Sequence, residues 1–349
     1  MSLITYLTRI HFADRVLEDA LAEEVRRRRI RRPLLLTDPE AALGEALDRV
    51  SDALPLAAEP VLLVTTGAGA EAAEGDRRAA EGRLAEEGCD GLVAVGGVRP
   101  LDIARLIGRD GLPVIAVPTG AGSVGLGPLG AELGATGGRR QPVTPAAILC
   151  DATLTVEAGP ASTAAAGMDA LVHCLESYLG TTYNPPADGI ALDGLRRAVR
   201  SIEAAVTDGR NLAARRELLA AALNAGLASQ KGCGGIEAAA RGLEAAAPAP
   251  HGTLHAALLR GMLAFNAPAV SHRFADLARM LDVPARCDVA EVLTDLAERI
   301  GLPLRLSEAG IAAPALAEAA RRAAADPANR TNPRHATSRD YERIMSEAL

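Results

Sequence analysis

Asp169 and His173 stand four residues apart in AAAGMDALVHCLESYLG. On a helix that spacing puts a carboxylate and an imidazole on one face, one turn apart, where they can share a cation or simply hydrogen-bond each other. A second group, Glu237, Arg241, His251 and His255, occurs in GCGGIEAAARGLEAAAPAPHGTLHAALL, flanking a loop between two helical patterns. The chain has six histidines, and three of them fall in these two segments. Asp169, His173, Glu237 and His251 together offer two carboxylates and two imidazoles, a donor set suited to Zn2+ or Fe2+. His11, His255, His272 and His335 are expected to be structural.

The elements that must hold these residues change character along the chain. In the first half, short apolar runs at Leu34 to Thr37, Val61 to Thr65, Leu92 to Val95, Val114 to Val117 and Ala147 to Leu149 predict buried strands. Helical patterns at Ala41 to Val50, Glu71 to Glu87 and Leu101 to Ile107 lie between them, which predicts a parallel sheet with helical crossovers. Glycine-rich turns follow three of the strands (TGAGA, GGVRP and PTGAGSVGLGPLG) and mark the carboxyl edge of the sheet, where open α/β sheets bind ligands. From about Thr153 onward the pattern becomes Ala- and Leu-rich helices with polar faces, so the second half is expected to be all helical.

Composition narrows the choice of partners. Lys plus Arg number 37 against 44 Asp plus Glu, and aromatic residues make up 2% of the chain. Neither a basic stripe nor a set of stacking rings is available, so no nucleic-acid partner is expected. The five cysteines are far apart and form no CxxC pair, which fits a reducing compartment better than a disulfide framework. The start, MSLITYLTRIHFADR, is charged where a signal peptide needs an apolar stretch, and no run has the length to span a bilayer. A cytoplasmic location with no membrane partner is expected.

The string AAGMDALVHCLESYLGTTYNPPADGIAL resembles a signature of the iron-containing (group III) alcohol dehydrogenases. PHGTLHAALLRGMLAFNAPA resembles their second signature, closest to the maleylacetate reductase branch, and the likeness runs from TRIHF to NPRHATSRDYERIMSEAL. The resemblance implies an α/β dinucleotide-binding domain with a parallel sheet over residues 1–158 and an all-α metal and substrate domain over 159–349, with the active site in the cleft between them. It implies an NAD(H)-dependent, metal-assisted enzyme interconverting an alcohol and an aldehyde or ketone, with a carboxylate-bearing substrate as one option. It also implies a homodimer acting on a small molecule.

By the same resemblance, Asp169, His173 and His251 match metal ligands, while Glu237 stands where the family has a third His. Arg241 replaces a second family His near the nicotinamide, so Arg241 and His251 are the candidate catalytic residues. Arg241 could clamp a substrate carboxylate or pair with Glu237 at i+4. The family's GGGS turn is here GGVRPLDIAR, leaving Gly96, Gly97, Val98 and Asp102 as candidate cofactor residues, with Thr119, Gly120 and Ser123 from the next glycine-rich turn. Asp38 matches the position that sees the adenine ribose, where a carboxylate accepts from the diol and repels a 2'-phosphate, favouring NAD. Two alternatives stay open: a non-redox lyase or cyclase related to dehydroquinate synthase, and a metal-free member in which Glu237 and Arg241 pair.

Overall fold

A computed structural model describes residues 8–66, 70–108, 111–122, 124, 126, 142–244, 249–284 and 288–349. Ser123 lies outside the described residues. The chain divides into two compact units, one running to Ala158 and the other from Gly159 to Leu349.

The first unit is built on a six-stranded sheet of β1 (Arg9–Phe12), β2 (Pro33–Thr37), β3 (Val61–Val64), β4 (Gly91–Gly96), β5 (Val114–Pro118) and β6 (Ala147–Cys150). Its order is β1-β6-β5-β4-β2-β3 and every pairing is parallel. The continuous apolar runs of β2, β4 and β5 take the middle, buried along their whole length, as a sheet covered on both faces requires. VLLV of β3 reads equally apolar, yet β3 is an edge strand and leaves Leu62 and Val64 exposed, so the expected buried strand is only half buried.

β1 has no counterpart among the sequence expectations. Its residues, RIHF, are mostly exposed at the opposite edge and carry no apolar run to betray them. His11 lies there and hydrogen-bonds the buried carboxylate of Glu24 at 2.9 Å, a structural role as expected.

The helices of this unit are α1 (Leu17–Arg27), α2 (Pro39–Leu43), α3 (Glu45–Ala53), α4 (Ala70–Glu86) and α5 (Val98–Ile107). The single helix expected over Ala41 to Val50 is two. Gly44 is extended between them (φ -95°, ψ -179°), and a side chain there would overlap the carboxylate of Glu157, which also accepts from Glu45 N at 3.1 Å.

The second unit contains no strand among the described residues, as the alanine- and leucine-rich pattern predicts. It consists of α6 (Pro160–Leu179), α7 (Pro185–Thr207), α8 (Leu212–Ala228), α9 (Gly235–Glu244), α10 (His251–Asn266), α11 (Ser271–Met280), α12 (Val289–Arg299), α13 (Leu316–Ala325) and α14 (Ser338–Glu347). Proline opens α6, where its missing N–H costs nothing, and Gly180 closes it. The last helix begins with a capping box between Thr337 and Asp340.

Candidate active site

Three helices of the second unit meet at one point. α6 carries Asp169 and His173, α9 carries Glu237 and Arg241, and α10 begins at His251 and carries His255 one turn later. Helices approach this closely only where side chains are small. A Cβ on Gly252 would overlap the carbonyl oxygen of Ala165 and lie 3.0 Å from Asp169 N, so glycine there lets α10 lie directly on the backbone of α6.

α9 is fixed from the same side. Glu176 of α6 is buried, and its carboxylate accepts from the backbone N–H groups of Ile236 at 2.6 Å, Gly234 at 2.9 Å and Glu237 at 3.1 Å. These are the orphan donors of a helix start, satisfied across helices rather than by a local cap. Burial pushes the Glu176 carboxyl up, to about 7, against the pull of those N–H groups.

Asp169, His173, His251 and His255 each offer one donor atom, and these atoms all lie within 4.8 Å of one another. His255, expected from the sequence to be structural, is fully buried and lies within the group. The signal was present: His251 and His255 have the same i, i+4 spacing as Asp169 and His173. The three rings cluster tightly, with the His251 and His255 centroids 4.2 Å apart and those of His173 and His255 5.4 Å apart.

Glu237 sits among the rings. Its Oε2 lies 2.7 Å from His251 Nε2, 3.0 Å from His173 Nε2 and 3.2 Å from His255 Nε2. Its Oε1 pairs with Arg241 Nε at 2.7 Å, and Arg241 also faces Asp326 at 3.6 Å. On their other sides, His173 Nδ1 and His255 Nδ1 face Asp169 at 3.6 and 3.5 Å, and His251 Nδ1 is paired with Glu244.

Burial alone would neutralise these groups, but their charges oppose it. Burial pushes the Glu237 carboxyl up, and the charges of Arg241, His251 and His173 overcome it, holding the group well below the usual carboxylate range. Burial likewise disfavours charge on His251 and His173, and their carboxylate neighbours reverse it: Glu237 and Glu244 raise His251, and Asp169 and Glu237 raise His173. His255 goes the other way. Burial, reinforced by the charge of His251, lowers it to about 4.

The residues fit a divalent cation. Asp169 Oδ1 and His255 Nδ1 are buried with no hydrogen-bond partner among the described residues, and buried polar atoms in that state call for one. Three imidazoles and a carboxylate are also the chemistry that zinc and ferrous iron accept.

The candidate cofactor residues gather at the carboxyl end of β4 in the first unit. Gly96 ends that strand at φ +139°, where a side chain would be strained and would overlap the Asp38 carboxylate. Gly97 precedes α5, and its N–H donates to Asp38 Oδ2 at 2.7 Å, while Asp38 Oδ1 accepts from Ala41 N at 2.8 Å. Val98 is exposed at the helix start, and Thr119 N–H ties the neighbouring turn to Gly96 O at 3.1 Å, beside an open Gly120. Asp102 differs from the rest: it is fully buried and paired with Arg105 at 3.1 Å, an internal ion pair that braces α5. Arg99, which could have met a phosphate, is 3.3 Å from Asp76 and from Thr66 O.

This arrangement of a glycine turn in one unit and an acid–histidine cluster in the other has close parallels. A family model for iron-containing alcohol dehydrogenases matches residues 8–124, and one for the C-terminal part of that family matches residues 163–349. The chain belongs to the iron-containing alcohol dehydrogenases. It is 34% identical to a 4-hydroxybutyrate dehydrogenase of Cupriavidus necator, over 100% of both chains. It is 29% identical to a 1,3-propanediol dehydrogenase of Klebsiella pneumoniae, over 75% of this chain and 77% of that one. Among solved structures, a 1,3-propanediol oxidoreductase matches with a TM-score of 0.88 at 25% identity, covering 99% of this chain and 100% of the other. A maleylacetate reductase of Agrobacterium tumefaciens shares the fold with a TM-score of 0.79 at 24% identity, covering 100% and 99% of the two chains.

Membership settles the broad activity. The chain is an enzyme, an oxidoreductase of the alcohol and carbonyl interconverting kind, from a family that normally works with NAD(H) and a divalent metal on small molecules. Among the described residues no helix is long and apolar enough to cross a membrane.

Proposed function

We propose that this chain is an NAD(H)-linked, metal-assisted dehydrogenase or carbonyl reductase acting on a small ω-hydroxy acid or its aldehyde. The observation that carries the reading is the cluster of Asp169, His173, His251 and His255, four donors mutually within 4.8 Å, with Asp169 and His255 buried and His173 and His251 half-buried. These residues would hold Fe2+ or Zn2+, and Asp38, Gly96, Gly97, Val98, Thr119, Gly120 and Ser123 would hold NAD(H), with Asp102 fixing α5. Bound there, the cation would supply polarisation of a substrate oxygen and the nicotinamide would supply hydride exchange.

The chain's own groups set the frame for that chemistry. Glu244 pairs with His251 Nδ1, so that ring is oriented by a carboxylate, while Asp169 lies beside the Nδ1 atoms of His173 and His255 at 3.6 and 3.5 Å. His251 Nδ1 and Glu244 can hold a proton between them, giving an alcohol's proton a place inside a buried site. Arg241 has its charge engaged by Glu237 and Asp326 and is assigned to holding Glu237, not to clamping a substrate carboxylate.

The acid-bearing substrate follows the 4-hydroxybutyrate dehydrogenase relative, and a NAD preference follows the carboxylate of Asp38. A homodimer in the cytoplasm is the assembly we assign; Cys89, Cys150, Cys174 and Cys233 are all free thiols, which suits a reducing compartment. The test is NADH oxidation by the protein with the 4-oxo acid that corresponds to 4-hydroxybutyrate, and NAD reduction with 4-hydroxybutyrate itself. Turnover in both directions that a chelator abolishes is expected; no net change in nicotinamide absorbance with these and with simple aldehydes would overturn the reading.

A further inference from the structure

Three imidazole Nε2 atoms converge on a single oxygen, Glu237 Oε2, at 2.7, 3.0 and 3.2 Å. A ring nitrogen has one in-plane valence: it either carries a hydrogen toward that oxygen or turns a lone pair toward a cation. The two uses exclude each other at every one of the three nitrogens. His251 has no nitrogen to spare, since Glu244 takes Nδ1 and Glu237 takes Nε2.

We propose that Glu237 is an internal competitor for the metal and not one of its ligands: its Oε2 occupies the point of convergence, and a divalent cation enters by displacing it. The inference rests on the metal reading given above and concerns only what Glu237 does within it.

The neighbours of Glu237 support displacement over ligation. Oε1 is already paired with Arg241, which is shared with Asp326, so the displaced carboxylate keeps a counter-charge. With Glu237 on Arg241, the cation faces one carboxylate, Asp169, and three neutral imidazoles, and it keeps net charge with which to polarise an oxygen. With Glu237 as a second carboxylate ligand that charge would be cancelled, and Arg241 would share its Glu237 partner with the cation. Undisplaced, Glu237 Oε2 bonds all three imidazoles and so helps to hold the cluster together.

The test compares Zn2+ affinity, by competition with a chromophoric chelator, among the wild-type chain, Glu237→Gln and Glu237→Asp. Gln removes the charge that attracts the three rings; Asp keeps the charge but withdraws it by one methylene. Both variants are expected to bind Zn2+ at least tenfold more tightly than wild type, and their metal-free forms to melt at a lower temperature by circular dichroism. Unchanged or weaker Zn2+ binding in the two variants, with wild-type binding intact, would overturn the proposal alone and return Glu237 to the ligand set. Failure of both variants to fold in excess Zn2+ would also overturn it, because removing a competitor leaves a metal-held cluster intact. No Zn2+ bound by any of the three proteins would sink the metal reading itself, and this proposal with it.

Discussion

A Cβ on Gly252 would overlap the carbonyl oxygen of Ala165, which makes the start of α10 and the middle of α6 a backbone-to-backbone contact. That contact sets His251 and His255 over Asp169 and His173. Gly252→Ala must push the helices apart, and overpacking of this kind costs about 1–3 kcal/mol. Denaturant unfolding should show that loss, together with reduced Zn2+ affinity; a variant as stable and as metal-competent as wild type would contradict the packing role.

Glu176 gives the second unit a pH dependence with a definite sign. Its folded value is raised from 4.5 to about 7, so the folded chain holds the proton more tightly than the unfolded one. The stability from this group is fully present below 4.5 and is lost as pH rises through about 7, by up to about 1.4 kcal/mol per pH unit. Glu176→Gln should be flatter than wild type across that window in unfolding free energy, while being less stable overall because its amide cannot accept from all three N–H groups of α9. Parallel curves for the two proteins would rule this out.

Gly96 combines φ +139° with contact against Asp38, so Gly96→Ala strains the turn and displaces the carboxylate that holds Gly97 N–H. NADH binding, followed by fluorescence titration, should weaken at least tenfold, with the far-ultraviolet circular dichroism unchanged. Unaltered affinity would remove the glycine turn from the cofactor site.

Asp38 both caps α2 and carries the charge assigned to repelling a 2'-phosphate. Asp38→Ser keeps a capping oxygen and removes the charge. Discrimination for NADH over NADPH should fall by roughly tenfold, the equivalent of about 1.4 kcal/mol, without loss of fold. An unchanged ratio of the two affinities would place the adenine ribose elsewhere.

Much of this is legible in the sequence, and the gaps have physical causes. Asp169 and His173 could be paired because helical spacing is a geometric rule, and the central strands because burial on both faces demands unbroken apolar runs. β1 was hidden because an exposed edge strand needs no such run. His255 is not grouped with the other donors in the sequence because the family's ligand pattern draws attention to Glu237 and away from a second imidazole one turn beyond His251. Where the Arg241 charge goes depends on Asp326, far along the chain, and no local pattern reports that.

Metal content of anaerobically purified protein, measured for wild type, Asp169→Asn and His255→Asn, tests the four-donor site most directly. About one divalent cation per wild-type chain is expected, with loss of metal from both variants even when each remains folded. A wild-type chain that takes up no Fe2+ or Zn2+ in excess, or a His255→Asn variant that binds metal as well as wild type, would contradict it.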